Sequence, residues 1–325
     1  MVEKFWKGKK VFITGGTGFI GTWLVKELLD RDAEITCLVK EMPKDCNFTK
    51  LGLDKKTNLI FGDILDLNLI KLALNKYEID SIFHLAAQPL VQIALKNPLE
   101  TLEINIKGTT NILEACRSKQ DIERIVVASS DKAYGSNDKL PYNENTPLRG
   151  EYPYDVSKSC ADLIAQSYAK TYNMPIAITR CSNIYGGGDL NFDRIIPETI
   201  KHILYNEDIL IRSNGKYIRE FFYVKDAVNS YIVLAEKIEK LGLKGEAFNF
   251  GTDKPVVILD LVNTIIKISK SENTKVKILD SVKAEIKDQY LSSEKARREL
   301  NWKPQYSLED GLKETYCWYK DYFKK

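Results

Sequence analysis

The chain has 325 residues, of which 44% are hydrophobic and 29% charged, a composition typical of a globular protein with a sizeable core. Its formal net charge of +3 is too small to indicate a nucleic-acid partner, and no apolar run is long enough to span a bilayer. The six cysteines contain no CxxC pair and there are only two histidines, so a disulfide framework, a metal site and a Ser–His–Asp hydrolase are not expected.

The first predicted strand, 11–14, runs directly into a glycine turn and then into an amphipathic helix near 19–31. Gly15, Gly18 and Gly21 have the spacing GxxGxxG, and Gly16, Gly18 and Gly21 also satisfy GxGxxG. Such glycines permit a tight turn and close approach of the backbone to a pyrophosphate, which the N–H groups of the helix N-terminus then bind. Glycines also serve geometry alone, but a strand before and a helix after favour a dinucleotide site.

Strand and helix patterns alternate along the following residues, which predicts a parallel sheet with right-handed crossovers. The predicted strands are 11–14, 34–39, 58–61, 81–85, 124–129 and 176–181, with helices near 19–31, 66–76, 99–118 and 152–173. After residue 185 the predicted helices are 192–206, 225–238, 256–269 and 307–324, with short strands at 209–211, 221–224 and 247–250. We therefore predict an α/β fold: a Rossmann-type doubly wound parallel sheet in an NAD-binding domain, 1–185, and a smaller, mostly helical substrate domain, 186–325. The boundary is soft, and elements can interleave across it.

The cofactor of an open parallel sheet lies at the carboxyl ends of the strands. Asp63, after the third strand, is a candidate acceptor for the adenine amino group, and a turn residue or helix cap is an equally weighted alternative. The small residues 85–87 end the fourth strand and let the backbone pass close to the cofactor ribose. Lys40 and Glu41 follow the second strand: the carboxylate suits a ribose diol and the ammonium suits a 2′-phosphate, so NAD and NADP both stay open.

Tyr154 and Lys158 form a YxxxK motif whose i, i+4 spacing puts both side chains on one helical face. A nearby ammonium is expected to lower the pKa of the tyrosine, so that the phenolate takes a hydroxyl proton near neutral pH. Tyr316 and Lys320 have the same spacing on the last helix, but only Tyr154 follows the fifth strand and its SSDKAYG end. Ser130, at that strand end, supplies a hydroxyl to bridge substrate and Tyr154. Capping and surface roles are the alternative for the three residues.

These motifs resemble those of the extended short-chain dehydrogenase/reductases, in the nucleotide-sugar epimerase/dehydratase group. The resemblance covers nearly the whole chain and includes the glycine turn, HLAAQ (84–88), NIKGTTNILEAC (105–116), SSDKAYG (129–135), YDVSK (154–158), RCSNIYGGGD (180–189), DRIIP (193–197) and REFFYVKDA (219–227). It implies NAD(P) bound in the N-terminal domain and a nucleotide-diphosphate sugar bound in the C-terminal one.

Asp131 and Lys132, directly after Ser130, indicate which type of enzyme within this group the chain resembles. Simple 4-epimerases of this group generally have small residues here, whereas 4,6-dehydratases have an acid/base pair, and the chain resembles the CDP-glucose 4,6-dehydratases most closely. The resemblance implies oxidation at C4 by hydride transfer to NAD, elimination of water across C5–C6 by a base and an acid, and return of the hydride to C6. A solvated turn with a local ion pair is the alternative for these two residues.

The glycine turn departs from the pattern of that subgroup. CDP-glucose dehydratases usually have GHTGFKG, and here Gly16 and Ile20 replace the histidine and the lysine. Without that imidazole a different sugar, a 4-epimerase or a C4 oxidase stays open as an alternative. A non-catalytic nucleotide-binding protein is a third alternative, which the complete Ser–Tyr–Lys set disfavours.

The resemblance assigns the remaining candidate residues. The expected cofactor-binding residues are Gly15, Thr17, Gly18, Phe19, Ile20, Gly21, Lys40, Asp63, Ile64, Leu85, Ala86, Ala87, Asn105, Tyr154 and Lys158, with NAD the expected cofactor. The expected catalytic residues are Ser130, Asp131, Lys132, Tyr154 and Lys158, and the expected substrate-binding residues are Gln88, Asn183, Arg194, Arg212 and Arg219. Arg219 is the expected diphosphate clamp, since a guanidinium binds phosphate through a bidentate fork, and a surface ion pair is the alternative for each arginine. Asn105 is expected to be a structural or relay residue near Lys158.

Two further expectations concern assembly and location. By analogy with the group, helices 99–118 and 152–173 are expected to form the four-helix bundle of a homodimer. The N-terminal segment MVEKFWKGKK lacks the apolar core of a signal peptide, and the scattered cysteines indicate reduced thiols, so a cytoplasmic protein is expected.

Overall fold

The computed structural model describes residues 5–42, 45–271, 273–281 and 286–324, so the first residues of the N-terminal segment lie outside the described part. The strands are β1 (Lys10–Thr14), β2 (Glu34–Val39), β3 (Asn58–Phe61), β4 (Ser81–His84), β5 (Arg124–Ser130), β6 (Ile176–Cys181), β7 (Asn183–Tyr185), β8 (Ile209–Ile211), β9 (Ile218–Arg219), β10 (Phe221–Tyr223), β11 (Ala247–Phe250), β12 (Val256–Val257), β13 (Val276–Ile278) and β14 (Asp288–Gln289). The helices are α1 (Phe19–Asp30), α2 (Asn47–Lys50), α3 (Leu67–Lys76), α4 (Val91–Lys96), α5 (Pro98–Leu102), α6 (Gly108–Lys119), α7 (Pro153–Tyr172), α8 (Ile195–Leu204), α9 (Val224–Leu241), α10 (Ile258–Ser269), α11 (Glu294–Leu300) and α12 (Leu308–Phe323). Single 3₁₀ turns lie at Leu53–Lys55 and Asp131–Tyr134, and a π-helical turn lies at Glu103–Lys107.

Seven strands form the central sheet in the order β11-β6-β5-β4-β1-β2-β3, and every neighbouring pair is parallel. Side chains of β1 alternate between the two faces: Val11 and Ile13 enter one buried cluster and Phe12 enters the other. Helices α1 and α9 contribute to the first cluster, and α3, α6 and α7 to the second. The apolar strands are therefore covered on both faces, and the predicted Rossmann-type doubly wound sheet is confirmed.

Two elements from beyond residue 185 belong to this sheet. Strand β11 pairs with β6 as the edge strand, and α9 packs beside α1 on the same face. The chain therefore leaves the sheet after β6 and returns to it. The division into regions 1–185 and 186–325 stays a prediction.

The remaining C-terminal elements surround a third apolar cluster formed mainly by α8, α10 and α12, with Ile200, Leu261 and Tyr319 fully buried in it. Three small sheets flank these helices: β7 with β10, β8 with β13, and β9 between β12 and β14. Strand β9 is parallel to β14, with Gln289 opposite Arg219. The C-terminal region thus brings a residue late in the chain beside the expected diphosphate clamp.

The predicted helix over 99–118 is confirmed as a continuous helical segment, 98–119, which contains one π-helical turn that the sequence did not predict. The segment consists of α5, the π-helical turn and α6, because the extra residue in the π turn widens the backbone around Asn105. Asn105 is buried there and uses its side chain in bonds to the loop after β4 and to α7. The π-helical turn thus carries the side chain that makes these bonds.

Within the described residues, no helix has the length and apolar character that a bilayer crossing requires. All six cysteines are free thiols, and four of them are buried in the core.

Candidate active site

The glycine turn between β1 and α1 has no room for side chains. Gly15 has a φ of +73°, and a Cβ there would lie 2.8 Å from the backbone nitrogen of Ala86. A Cβ on Gly21 would overlap the carbonyl oxygen of Gly15, so α1 packs directly on the turn. Helix α1 begins after Gly18 without a side-chain cap, which leaves the N–H groups of its first turn for an anion. This cradle fits the pyrophosphate of a dinucleotide.

The same turn explains the departure at Gly16. A Cβ on Gly16 would lie 2.7 Å from the sulfur of Cys37, which is fully buried in β2. A larger residue at position 16 therefore requires Cys37 to move. Gly16 therefore packs directly against Cys37, and a side chain at position 16 would need a different arrangement at position 37.

The adenosine end of the predicted cofactor site contains an ion pair. The Nζ of Lys40 lies 3.0 Å from Oδ2 of Asp63, joining the ends of β2 and β3. Asp63 also accepts a hydrogen bond from the backbone N–H of Leu65 at 3.0 Å, and this bond, with Lys40, lowers the pKa of the carboxyl. Asp66, not Asp63, caps α3, so the structural role of Asp63 is to close a turn. Glu41 is exposed beside this pair.

The loop after β4 is held by side-chain amides. Asn105 accepts from the backbone N–H of Gln88 at 2.7 Å and donates to Oγ of Ser157, next to Lys158, at 2.8 Å. Gln88 donates to Thr101 and accepts from the backbone of Leu90, so its amide is used inside the loop. Asn105 is thus a structural link near Lys158, and a direct substrate contact of Gln88 stays a prediction.

Residues 85–87 pass against the glycine turn. Leu85 donates its backbone N–H to the carbonyl of Thr14, and Ala86 donates to the hydroxyl of the same threonine, both at 3.1 Å. His84 is bonded through its two ring nitrogens to Thr14 and Thr109. Burial lowers the pKa of His84 to about 3, so this histidine is a neutral core residue.

Ser130, Tyr154 and Lys158 lie together at the carboxyl end of β5. Tyr154, in the first turn of α7, is 9% exposed, and the Ser130 side chain lies close enough to oppose the rise in its pKa. Lys158, one turn later, is buried and donates from Nζ to the carbonyl of Ala128 at 2.9 Å. The three residue types needed to remove a hydroxyl proton therefore meet at this end of the sheet.

The expectation of a lowered tyrosine pKa is wrong for the protein alone. Burial raises the pKa of Tyr154 to about 12, although the positive charge of Arg194 opposes the shift. Burial also lowers the pKa of Lys158 to about 8. Both shifts have one cause, since removing water disfavours the charged form of either group. The ammonium of Lys158 is directed to the Ala128 carbonyl.

Asp131 and Lys132 form the 3₁₀ turn that follows Ser130. Asp131 is only 2% exposed, which contradicts the alternative of a solvated turn. One carboxylate oxygen accepts from Ser130 at 3.2 Å, and the other, Oδ2, has no hydrogen-bond partner among the described residues. Burial raises the pKa of Asp131, against the attraction of Lys132 and Arg219. A buried carboxyl with a free oxygen and a raised pKa is suited to proton transfer.

Two neighbours of Lys132 were missed from the sequence. The Nζ of Lys132 donates to Oε1 of Gln289 at 2.8 Å, across 157 residues of chain. Asp155 is also buried, and burial raises its pKa to about 6 although the charge of Lys132 lowers it. The signal for Asp155 was its place directly after Tyr154. Gln289 belongs to no recognisable sequence motif, so its contact with Lys132 could be found only from the folded structure.

The predicted substrate residues lie in different surroundings. Arg219 is buried and donates to the backbone carbonyls of Ile286 and, at 2.6 Å, Lys287, while its charge acts on Asp131. Arg194 pairs with the buried Asp189 at 2.9 Å.

Arg212 and Asn183 also have protein partners. Arg212 pairs with Glu198 at 2.7 Å beside a cavity of about 300 Å³, and Asn183 donates to the carbonyl of Glu220 at 3.1 Å. Of the candidate arginines, Arg194 interacts electrostatically with Tyr154, and Arg219 with Asp131.

The sequence matches a family model described as GDP-mannose 4,6 dehydratase over residues 12–315. It is 30% identical to a CDP-glucose 4,6-dehydratase of Salmonella typhimurium over 341 residues, covering 100% of this chain and 94% of that protein. The fold is similar to that of a dTDP-glucose 4,6-dehydratase from Bacillus anthracis in complex with NAD, with a TM-score of 0.85, 26% identity and 98% of each chain covered. It is also similar to a UDP-glucuronic acid 4-epimerase from Bacillus cereus in complex with UDP-glucuronic acid and NAD, with a TM-score of 0.87, 27% identity, and 96% of this chain and 99% of that chain covered.

Proposed function

Since this chain belongs to the GDP-mannose 4,6 dehydratase family, among the extended short-chain dehydrogenase/reductases, we propose that it is an NAD-dependent 4,6-dehydratase of a nucleotide-diphosphate hexose. The observation that carries the proposal is the pair Asp131 and Lys132 beside Ser130 and Tyr154. Asp131 is buried with one free oxygen, and Lys132 is held by a neutral acceptor. An epimerase has no use for such a pair, because it removes no proton from C5.

The residues of the chain divide the work as follows. Bound NAD would supply the acceptor for the hydride of C4 and, once reduced, the donor of the hydride to C6. The phenolate form of Tyr154 takes the proton of the C4 hydroxyl, which Ser130 holds, and the ammonium of Lys158 stabilises this phenolate before the proton is transferred. Asp131 and Lys132 remove the C5 proton and protonate the C6 hydroxyl, which leaves as water. The hydride returned to C6 and a proton returned to C5 complete a reaction without net oxidation.

The surroundings of Tyr154 agree with this order of events. Its raised pKa keeps the phenol protonated in the protein alone. Arg194 already opposes that shift, and a further positive charge brought close to the ring would add to this effect. Tyr154 is therefore expected to lose its phenol proton and act as a base only when cofactor and substrate are bound.

The test of the proposed function is incubation with CDP-, dTDP-, UDP- and GDP-hexoses, with the products weighed by mass spectrometry. We expect at least one substrate to give a product lighter by one water, with one solvent deuterium at C5 when the reaction runs in heavy water. A product of unchanged mass without deuterium would indicate the 4-epimerase alternative. That alternative stays open because Gly16 and Ile20 replace the histidine and lysine usual in the glycine turn of CDP-glucose dehydratases. A product lighter by two hydrogens would indicate a C4 oxidase.

The nucleotide diphosphate is expected to bind at Arg219. Arg219→Ala should raise KM about 10- to 100-fold, the value of a hydrogen bond between charged groups, while kcat changes little. The diphosphate has the same charge in the ground state and the transition state, so its binding is uniform. Steady-state kinetics on the best substrate measure both constants.

The matched control is Arg298→Ala, because Arg298 is exposed and pairs with the neighbouring Glu299. Arg219 also binds the carbonyls of residues 286 and 287, so thermal unfolding of each variant must accompany the kinetics. An unchanged KM for Arg219→Ala would place this guanidinium outside the substrate site.

We also propose a homodimer in the cytoplasm, with residues 1–185 binding NAD and residues 186–325 binding the nucleotide sugar. Large apolar side chains stand exposed on the helices expected to form the interface: Leu99 is 65% exposed on α5, and Leu163 is 53% exposed on α7. Free thiols throughout agree with a reducing compartment.

A further inference from the structure

Gln289 connects the C-terminal region to the acid/base pair. It is fully buried on β14, and its Oε1 accepts a hydrogen bond from Nζ of Lys132 at 2.8 Å. Its Nε2 is also buried and has no hydrogen-bond partner among the described residues. A glutamine kept for stability alone would have both ends of its amide satisfied. Here the amide oxygen binds Lys132, a catalytic candidate, and the amide nitrogen has no hydrogen-bond partner among the described residues, which is typical of a functional site.

We propose that Gln289 is a positioning residue that fixes the Nζ of Lys132 for the elimination of water. The inference rests on the proposed dehydratase function. A lysine side chain is long and flexible, with three rotatable donors, so one buried acceptor sets the direction of its nitrogen. A carboxylate in this place would hold the ammonium in an ion pair, whereas a neutral amide oxygen orients the nitrogen without that added charge.

The surroundings of Lys132 support this assignment. The charges of Asp131 and Asp155 both interact with the ammonium, and both carboxyls are buried. The attraction of two acidic groups does not by itself fix the direction of the ammonium, whereas the hydrogen bond to Gln289 does. Oδ2 of Asp131, an acceptor, and Nε2 of Gln289, a donor, are both buried without hydrogen-bond partners in the described part of the chain. A sugar hydroxyl is a group that can donate to the first and accept from the second.

The strand that bears Gln289 also links it to the expected nucleotide site. Gln289 lies opposite Arg219 in the parallel ladder of β14 and β9. Binding of the diphosphate by Arg219 and positioning of Lys132 by Gln289 therefore depend on the same pair of strands. This arrangement sets the acid/base pair at a constant distance from the bound nucleotide.

The test uses Gln289→Met, which keeps the volume of the side chain and removes the acceptor. We expect the rate of water loss to fall about 10²-fold, the effect of a misplacement near 1 Å, while the rate of C4 oxidation stays that of the wild type. Enzyme-bound NADH should therefore accumulate when enzyme, NAD and substrate are mixed. In a Lys132→Met background the same change should have no further effect. Gln305→Met, on an exposed glutamine, is the matched control.

Gln289→Glu keeps an acceptor oxygen and tests the assignment through a second readout. The added negative charge favours the charged form of its hydrogen-bond partner, so the pH profile of water loss should move to higher pH while that of C4 oxidation stays in place. This variant remains informative if Gln289→Met does not fold.

Three results would overturn the positioning role: an equal loss of oxidation and elimination in Gln289→Met, an additional loss in the Lys132→Met background, or an unmoved pH profile in Gln289→Glu. Failure of the dehydratase function itself has a different signature, since the wild type would then release no water from any nucleotide hexose.

Discussion

Tyr154→Phe is expected to lower turnover by about 10²–10⁴-fold, the usual contribution of a general base, while NAD binding and the fold are kept. The phenylalanine ring fills the same buried space beside Ser130, so only the proton acceptor for the C4 hydroxyl is lost. Formation of NADH in a single turnover should slow by the same factor, because C4 oxidation is the step affected. Stopped-flow absorbance, with NAD affinity measured separately, provides the check.

Tyr316→Phe is the matched control, because Tyr316 belongs to the second YxxxK spacing, on α12, and packs against the C-terminal apolar cluster. It should leave turnover unchanged. Near-normal single-turnover oxidation in Tyr154→Phe would assign the base to another group, and Asp155, with a pKa near 6, would be the first candidate.

Asp131→Asn and Lys132→Met are expected to separate oxidation from elimination. Each change removes one of the two groups that move protons at C5 and C6, so loss of water should fall by about 10²–10⁴-fold while C4 oxidation continues. NADH bound to the enzyme should then accumulate, because the hydride has no C6 acceptor to which it can return. Absorbance of the mixed enzyme and the mass of the released sugar measure the two steps independently.

Heavy water assigns the two roles within the pair. The variant that still incorporates deuterium at C5 without losing water has kept the base and lost the acid. The variant that does neither has lost the base. If both variants still lose water at the rate of the wild type, Asp131 and Lys132 are not the acid/base pair, whatever their burial.

Much of the fold could be predicted from local sequence patterns. The apolar strands from β1 to β6 lie where their hydrophobic runs predicted, and β1 and α1 enclose the glycine turn as expected. These features depend on short-range physics: a buried strand needs a continuous apolar run, and the turn at Gly15 needs a residue that accepts a positive φ. The motif-bearing candidates Ser130, Tyr154 and Lys158 lie together because Ser130 ends β5, and α7, the next α-helix, begins with the other two residues at the same end of the sheet.

Other features depended on contacts between distant residues. The π-helical turn within the predicted helix 99–118 lies at Asn105, whose side chain bonds to Gln88 and Ser157, and no periodicity reveals these bonds. Strand β11 has an ordinary apolar sequence, and only its pairing with β6 makes it the edge of the central sheet.

The sequence by itself determined the class of fold, the dinucleotide turn and the residue types of the catalytic set, because each depends on spacing within a few residues. The tertiary structure alone decided how those residues ionise and what holds them. Burial, which a motif does not contain, raises the pKa of Tyr154 and of Asp131 and lowers that of Lys158. The partner of Lys132 is Gln289, and that contact exists only because β14 pairs with β9 far from the motif in sequence. The type and spacing of catalytic residues can be read from the sequence because they depend on positions close together in the chain. Burial and long-range hydrogen bonds cannot be read from it, because they depend on which distant segments pack together.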